Sequence, residues 1–199
     1  MSNTVALSDF SPALAFPAQL VSSAQAVARL LGPDGARRPV SCFAVNLDGE
    51  RLFIPERVYY APGALIAAAR AGGDSGGIAL CLGTRHHDGF VRERCLRQLL
   101  DAREAWIIPF VVRLAGEYVV QIVARIEAHL PLLDAALYGK FLRENPGLLA
   151  TTERRVVSYW YAYVHAGYRQ RGTEPGSRVV AAFRRMAAAG VTIGELAGT

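Results

Sequence analysis

The stretch Asp88-Gly89-Phe90-Val91-Arg92-Glu93-Arg94-Cys95-Leu96-Arg97-Gln98-Leu99-Leu100 decides how the chain reads. Asp88-Gly89 punctuates the sequence, and beyond it Val91, Cys95 and Leu99 recur at four-residue spacing, one stripe of an amphipathic helix. Asp88 with Arg92, and Glu93 with Arg97, stand at the i,i+4 spacing that favours opposite charges. The pattern returns 31 residues later, where Val91 falls on Ile122, Cys95 on Ile126 and Leu99 on Leu130. A shorter apolar segment precedes each copy, Ile78–Arg85 and Trp106–Leu114. A period of this length, made of two antiparallel helices, is the mark of a helical solenoid.

Toward the C-terminus the chain continues as helix after helix: Val119–Leu130, Leu132–Arg143, roughly Leu148–Tyr168, and Ser177–Ala189. Pro109 argues for a helix start or kink in the apolar Trp106–Leu114 run. Toward the N-terminus, Ala64–Ala71 reads as a helix closed by Gly72-Gly73. Gly72–Gly77 then reads as a loop in which Asp74 or Ser75 caps the next helix. Before Pro62 the character changes. Val40–Val45 is β-prone, Asp48-Gly49 is a hairpin turn signal, and Arg51–Ile54 is extended until Pro55. Pro17–Leu31 has helical apolar spacing, stopped by Gly32-Pro33. The expected fold is mainly α: antiparallel helical pairs of α-solenoid type with a small N-terminal β-hairpin. Residues 1–72 form the N-terminal segment and residues 73–199 the helical domain.

Asp88–Glu93, followed by Cys95-Leu96 and Leu99-Leu100, resembles a HEAT repeat. In that family an Asp ends the inter-helix turn and a Val-Arg pair opens the second helix. The resemblance covers residues 78–130. Its second copy departs from the pattern, with Val123 at the arginine position and Glu117 near the aspartate position. It implies stacked helical pairs, a structural turn at His87, Asp88 and Arg92, and a non-enzymatic scaffold or protein-interaction role. One HEAT-like enzyme family, a DNA glycosylase, uses a basic concave face, which makes nucleic-acid binding the alternative. Nothing in the sequence identifies its catalytic carboxylate. The run Thr84–Arg92 also resembles a bacterial family signature that brings no mechanism with it.

Three constellations invite chemistry. Gly73-Asp74-Ser75-Gly76-Gly77 spells the nucleophile motif of trypsin-like proteases, but all four histidines (86, 87, 129, 165) follow Ser75, whereas that family places its histidine and aspartate before the serine. His86-His87-Asp88, with Cys81 and Cys95 near, offers metal-ligand types without the paired short spacing of a zinc site. No phosphate-binding glycine loop is present, and no cofactor or metal is expected. The run Ser158–Arg171 remains. Val157, Trp160, Tyr161, Val164 and Tyr168 share one helical face, read as core, while Arg155, Tyr159 and Tyr163 lie nearly opposite. Either the helix is central or it has a recognition face. Arg154, Arg155, Tyr159, Tyr163, Arg169 and Arg171 are the candidate partner or nucleic-acid surface.

The composition fits a globular chain: 199 residues, 52% apolar and 20% charged. The mean hydropathy of +0.20 is high enough to suggest apolar surface covered by a partner. The net charge is +5, and residues 151–199 hold seven arginines against three glutamates, so that segment carries +4 of it. Lys140 is the only lysine. The longest apolar run, Ala105–Leu114, is about half the roughly 20 residues that span a bilayer. The N-terminus lacks the pattern of a secretory signal and the three cysteines suggest no disulfide framework, so a reducing cytoplasm is expected. The expected partner is another protein or a second copy of the chain, with nucleic acid as the alternative and no membrane.

Overall fold

The computed structural model describes residues 11–32 and 41–189. Among these it is mainly helical, with ten α-helices and one two-stranded antiparallel hairpin near the N-terminus, as the periodicities predict. Pro33 and Val40, invoked above as a helix stop and a strand start, lie outside the described residues. Two units, each with its own interior, divide the chain between Leu99 and Leu100.

In the first unit a 3-10 turn, Ala18–Leu20, leads into α1 (Val21–Leu31), which ends at Gly32 with φ 81°. β1 (Cys42–Leu47) pairs with β2 (Glu50–Pro55), Val45 opposite Leu52 and Leu47 opposite Glu50. Asp48 and Gly49 both have positive φ, 51° and 85°, as a two-residue type I′ turn requires. Val45, Leu47, Leu52 and Ile54 are buried while Ala44, Asn46 and Arg51 are exposed, so one hairpin face joins the core. α2 (Pro62–Ala69), α3 (Gly73–Gly83) and α4 (Gly89–Leu99) complete the unit, with α3 packed on both others.

The start of α3 corrects the expectation of a Gly72–Gly77 loop capped by Asp74 or Ser75. The helix already begins at Gly73, its cap position is Gly72 with no side-chain cap bond, and Asp74 and Ser75 lie inside its first turn. Gly72 and Gly73, at φ 67° and 52°, turn the chain within two residues. Gly76 serves contact instead: a Cβ there would lie 2.8 Å from the Ala69 carbonyl oxygen, so α2 and α3 touch backbone to backbone.

The second unit is built around α5 (Ile108–Leu114), reached through a 3-10 turn, Ala105–Ile107. Every residue of α5 is buried, and Pro109 sits in its first turn, where a missing N–H costs nothing. α6 (Val120–His129) follows, then α7 (Ala135–Glu144), capped by Asp134, whose carboxylate accepts from the Ala136 and Leu137 N–H groups at 3.0 Å. α8 (Pro146–Ser158), α9 (Trp160–His165) and α10 (Pro175–Ala189) close the unit, and α10 packs on α6, α7 and α8.

The single helix expected over Leu148–Tyr168 is broken in two. Tyr159 leaves helical geometry (φ −92°, ψ 16°). The second half stops at His165, because Gly167 at φ 96° lets the Tyr168 N–H reach back to the Tyr163 carbonyl at 3.0 Å, the bonding of a Schellman stop. The buried face differs too. Leu148, Thr152, Val156 and Tyr163 face inward, whereas Val157, Tyr161 and Val164, read as core, are 60%, 76% and 41% exposed.

Candidate functional site

Three polar side chains with no exposure, Arg85, His86 and Arg92, converge on the turn between α3 and α4. Arg85 Nε donates to the Pro55 carbonyl at 3.1 Å and Nη2 to the Glu56 carbonyl at 2.7 Å, with the Glu56 carboxylate 3.6 Å away. It thereby satisfies carbonyls where strand pairing has ended. Arg92 Nη1 donates to the carbonyls of His86 at 2.9 Å and His87 at 2.8 Å. The Val58 N–H donates to the Arg85 carbonyl at 2.9 Å, and the His87 N–H to the Val58 carbonyl at 3.0 Å. Asp88 caps α4 by accepting from the Phe90 N–H at 2.8 Å.

The same turn fixes the state of His86. Its Nδ1 receives the Asp88 N–H at 3.0 Å and must therefore hold a lone pair, so Nε2 carries the proton and donates to the Tyr60 carbonyl at 2.8 Å. Burial holds this imidazole below its ordinary 6.5; His87 and Arg92 add to the shift, while the Tyr60 bond and Asp88 oppose it. Both ring nitrogens are committed, so neither is open to a metal. Among the described residues no group of three or more metal-ligating side chains comes together. His87 is exposed and stacks on Tyr59, ring centroids 5.1 Å apart. His87, Asp88 and Arg92 thus sit in a structural turn with His86, and Arg85 is the member the sequence reading left out.

The C-terminal candidates do not share one surface. Tyr163 corrects the reading most sharply: it is 0% exposed, facing Gly176 of α10, where a Cβ would collide with Val156 and with the Tyr163 hydroxyl. Burial pushes its phenol far up. Arg155 and Tyr159 lie on a flank, Arg155 Cβ near Gly116 and Tyr159 edge-on to Tyr118 at 5.9 Å. Arg154 is exposed and donates to the Thr151 hydroxyl at 2.9 Å. Arg169 and Arg171 are exposed in the loop after α9, with the Arg171 guanidinium 5.5 Å from the Trp160 ring centroid.

The outer face of α8 and α9 is therefore different from the one expected. The buried positions 152, 156 and 163 keep helical spacing through the break at Tyr159, so Arg154, Val157, Tyr161 and Val164 share the opposite side. Two apolar side chains and a tyrosine stand in solvent there, with arginine at the border. Glu153, the acidic neighbour, is held by Arg184 of α10 at 2.6 Å.

Sequence reasoning also missed a cleft of about 200 Å³ in the same unit. His129, the last residue of α6, lies there 3.5 Å from the Asp101 carboxylate. A histidine–carboxylate pair is half of a nucleophilic site, but among the described lining residues Tyr138 supplies the one hydroxyl and none is Ser, Thr or Cys. Asp101 is 84% exposed, so the pair is solvated. No spacing motif joins Asp101 to His129, and only the fold brings them together.

No protein-family model, curated protein or solved structure matches the chain. No described helix is long and apolar enough to cross a membrane.

Proposed function

We propose that the protein is a non-enzymatic helical interaction module whose protein partner docks on the outer face of α8 and α9. The observation that carries this is the exposure of Val157, Tyr161 and Val164 at helical spacing beside Arg154. Scattered apolar side chains on a surface are ordinary, but a stripe with a tyrosine at its middle and arginine at its edge has the composition of an interface centre. The helical pairs α3–α4 and α5–α6 are read as HEAT-like units. Val91 and Cys95 in the first, and Ile122 and Ile126 in the second, are buried at equivalent positions, while only the first has an arginine, Arg92, on its turn.

Residues 146–173 hold four arginines against one glutamate, so two copies meeting through this face would oppose like charges. A partner of different sequence is favoured. The test is affinity capture from nuclease-treated lysate on the wild-type chain and on a Val157→Ser/Tyr161→Ser variant. The variant keeps its helical circular dichroism and loses a protein that the wild type retains. Tyr161→Ala alone weakens that complex by about 2 kcal/mol, the scale of an interface hot spot. Equal capture by both chains would dismiss the face. Titration with single-stranded DNA at about 50 mM salt is the second arm: binding whose salt slope falls by about one for each of Arg154 and Arg169 neutralised would replace the protein partner with nucleic acid.

A further inference from the structure

The first unit carries a groove that the reading above does not use. α2 and α4 form its banks and Leu80 of α3 its floor, with Leu65, Val91 and Cys95 almost fully buried beneath and Ile66 half-buried at the wall. Its volume of about 110 Å³ is below the roughly 150 Å³ that takes a benzene ring, so it suits one aliphatic side chain and not a whole helix. An exposed arginine stands on each bank, Arg70 on α2 and Arg94 on α4. Neither guanidinium meets a carboxylate among the described residues, and Gln98 adds a neutral donor on the α4 side.

A cation on either side of a small apolar slot defines its occupant by charge. An aliphatic side chain enters the slot, and carboxylates flanking it in sequence reach the two guanidiniums. Arginine forks hold carboxylates in fixed geometry, so the pair sets orientation as well as affinity. A second copy of the chain is a poor fit, because its net charge is positive. We infer that the groove between α2 and α4 is a docking site for a short acidic segment of a partner protein, an aliphatic anchor flanked by Asp or Glu, with Arg70 and Arg94 as the clamp.

The test uses the full chain and a fluorescein-labelled twelve-residue peptide carrying one central leucine flanked on both sides by glutamates. Companion peptides replace the glutamates by lysine, or the leucine by alanine. Fluorescence anisotropy at about 50 mM salt gives saturable binding of the acidic leucine peptide and at least tenfold weaker binding of both companions. Arg70→Glu/Arg94→Glu weakens the acidic peptide at least tenfold and strengthens the lysine one, with an unfolding midpoint close to wild type because both residues are exposed. Hydrogen exchange slows in α2 and α4 on binding. Absence of saturation, an equal response to the lysine peptide, or indifference to the double charge reversal overturns the proposal, as does a concentration-dependent dimer that displaces the peptide. Val157→Ser/Tyr161→Ser leaves this binding unchanged, so failure of the α8–α9 face and failure of the groove are read separately.

Discussion

At the scale of single residues, His86 couples the α3–α4 turn to pH. In the folded chain it is neutral, with both nitrogens bonded and its pKa lowered mainly by burial. Above the ordinary 6.5, folded and unfolded chains both carry a neutral ring and the group contributes no pH dependence. As pH falls below that value the unfolded chain takes a proton that the folded chain refuses, so stability declines. His87, Asp88 and Arg92 face the ring and set how far this goes. Urea midpoints measured between pH 8 and 5 fall more steeply for wild type than for His86→Leu. Parallel profiles would remove His86 as the cause.

Among the elements, the close contact of α3 with α4 rests on Gly83, where an added Cβ would run into the Cys95 sulfur. Gly83→Ala destabilises by about 1–3 kcal/mol, the cost of overpacking. Cys95→Ala makes room, so the double variant, followed by thermal or urea unfolding, is more stable than the sum of the single effects. Additive effects would mean the methyl group is accommodated elsewhere. The helices around Asp88-Gly89, the hairpin at Asp48-Gly49 and the buried α5 were legible, because period, turn chemistry and uniform apolarity each point to one structure. The inward face of α8–α9 was not. Val156 and Val157, and Tyr161 and Tyr163, offer apolar stripes on adjacent sides, and spacing cannot choose between them. Gly116 and Gly176, far off in sequence, receive Thr152, Val156 and Tyr163, and so select the face. For the same reason one of the six proposed surface residues was misassigned: Tyr163 went inward, while Tyr161, read as core, went outward.

At the scale of the whole molecule, apolar burial and surface charge have separate tasks. Among the described residues the helix-bridging ion pairs of the C-terminal arginines, Arg178 with Glu127 and Arg184 with Glu153, are partly exposed, and such pairs contribute roughly 0–1 kcal/mol each. Among the described residues Arg154 beside the α8–α9 face, and Arg70 and Arg94 at the groove, make no such pair. Unfolding free energy therefore changes little between about 50 mM and 500 mM salt, while partner binding at either surface weakens at least tenfold, screened over a Debye length that shrinks to a few ångströms. Urea titrations and anisotropy run in the same buffers check this, and parallel losses of stability and binding would contradict it.

The burial of Cys95 also makes the protein its own stopwatch. Its thiol is pushed up to about 11 by burial and is pressed against Gly83, so an alkylating reagent reaches it only when α4 lifts from α3. Cys42, half-buried in the hairpin, marks local fraying on a faster scale. With Cys81, buried on α3, replaced by alanine, the slow phase of iodoacetamide uptake times the opening of the helical pair itself, and a ligand seated between α2 and α4 lengthens it in proportion to its occupancy.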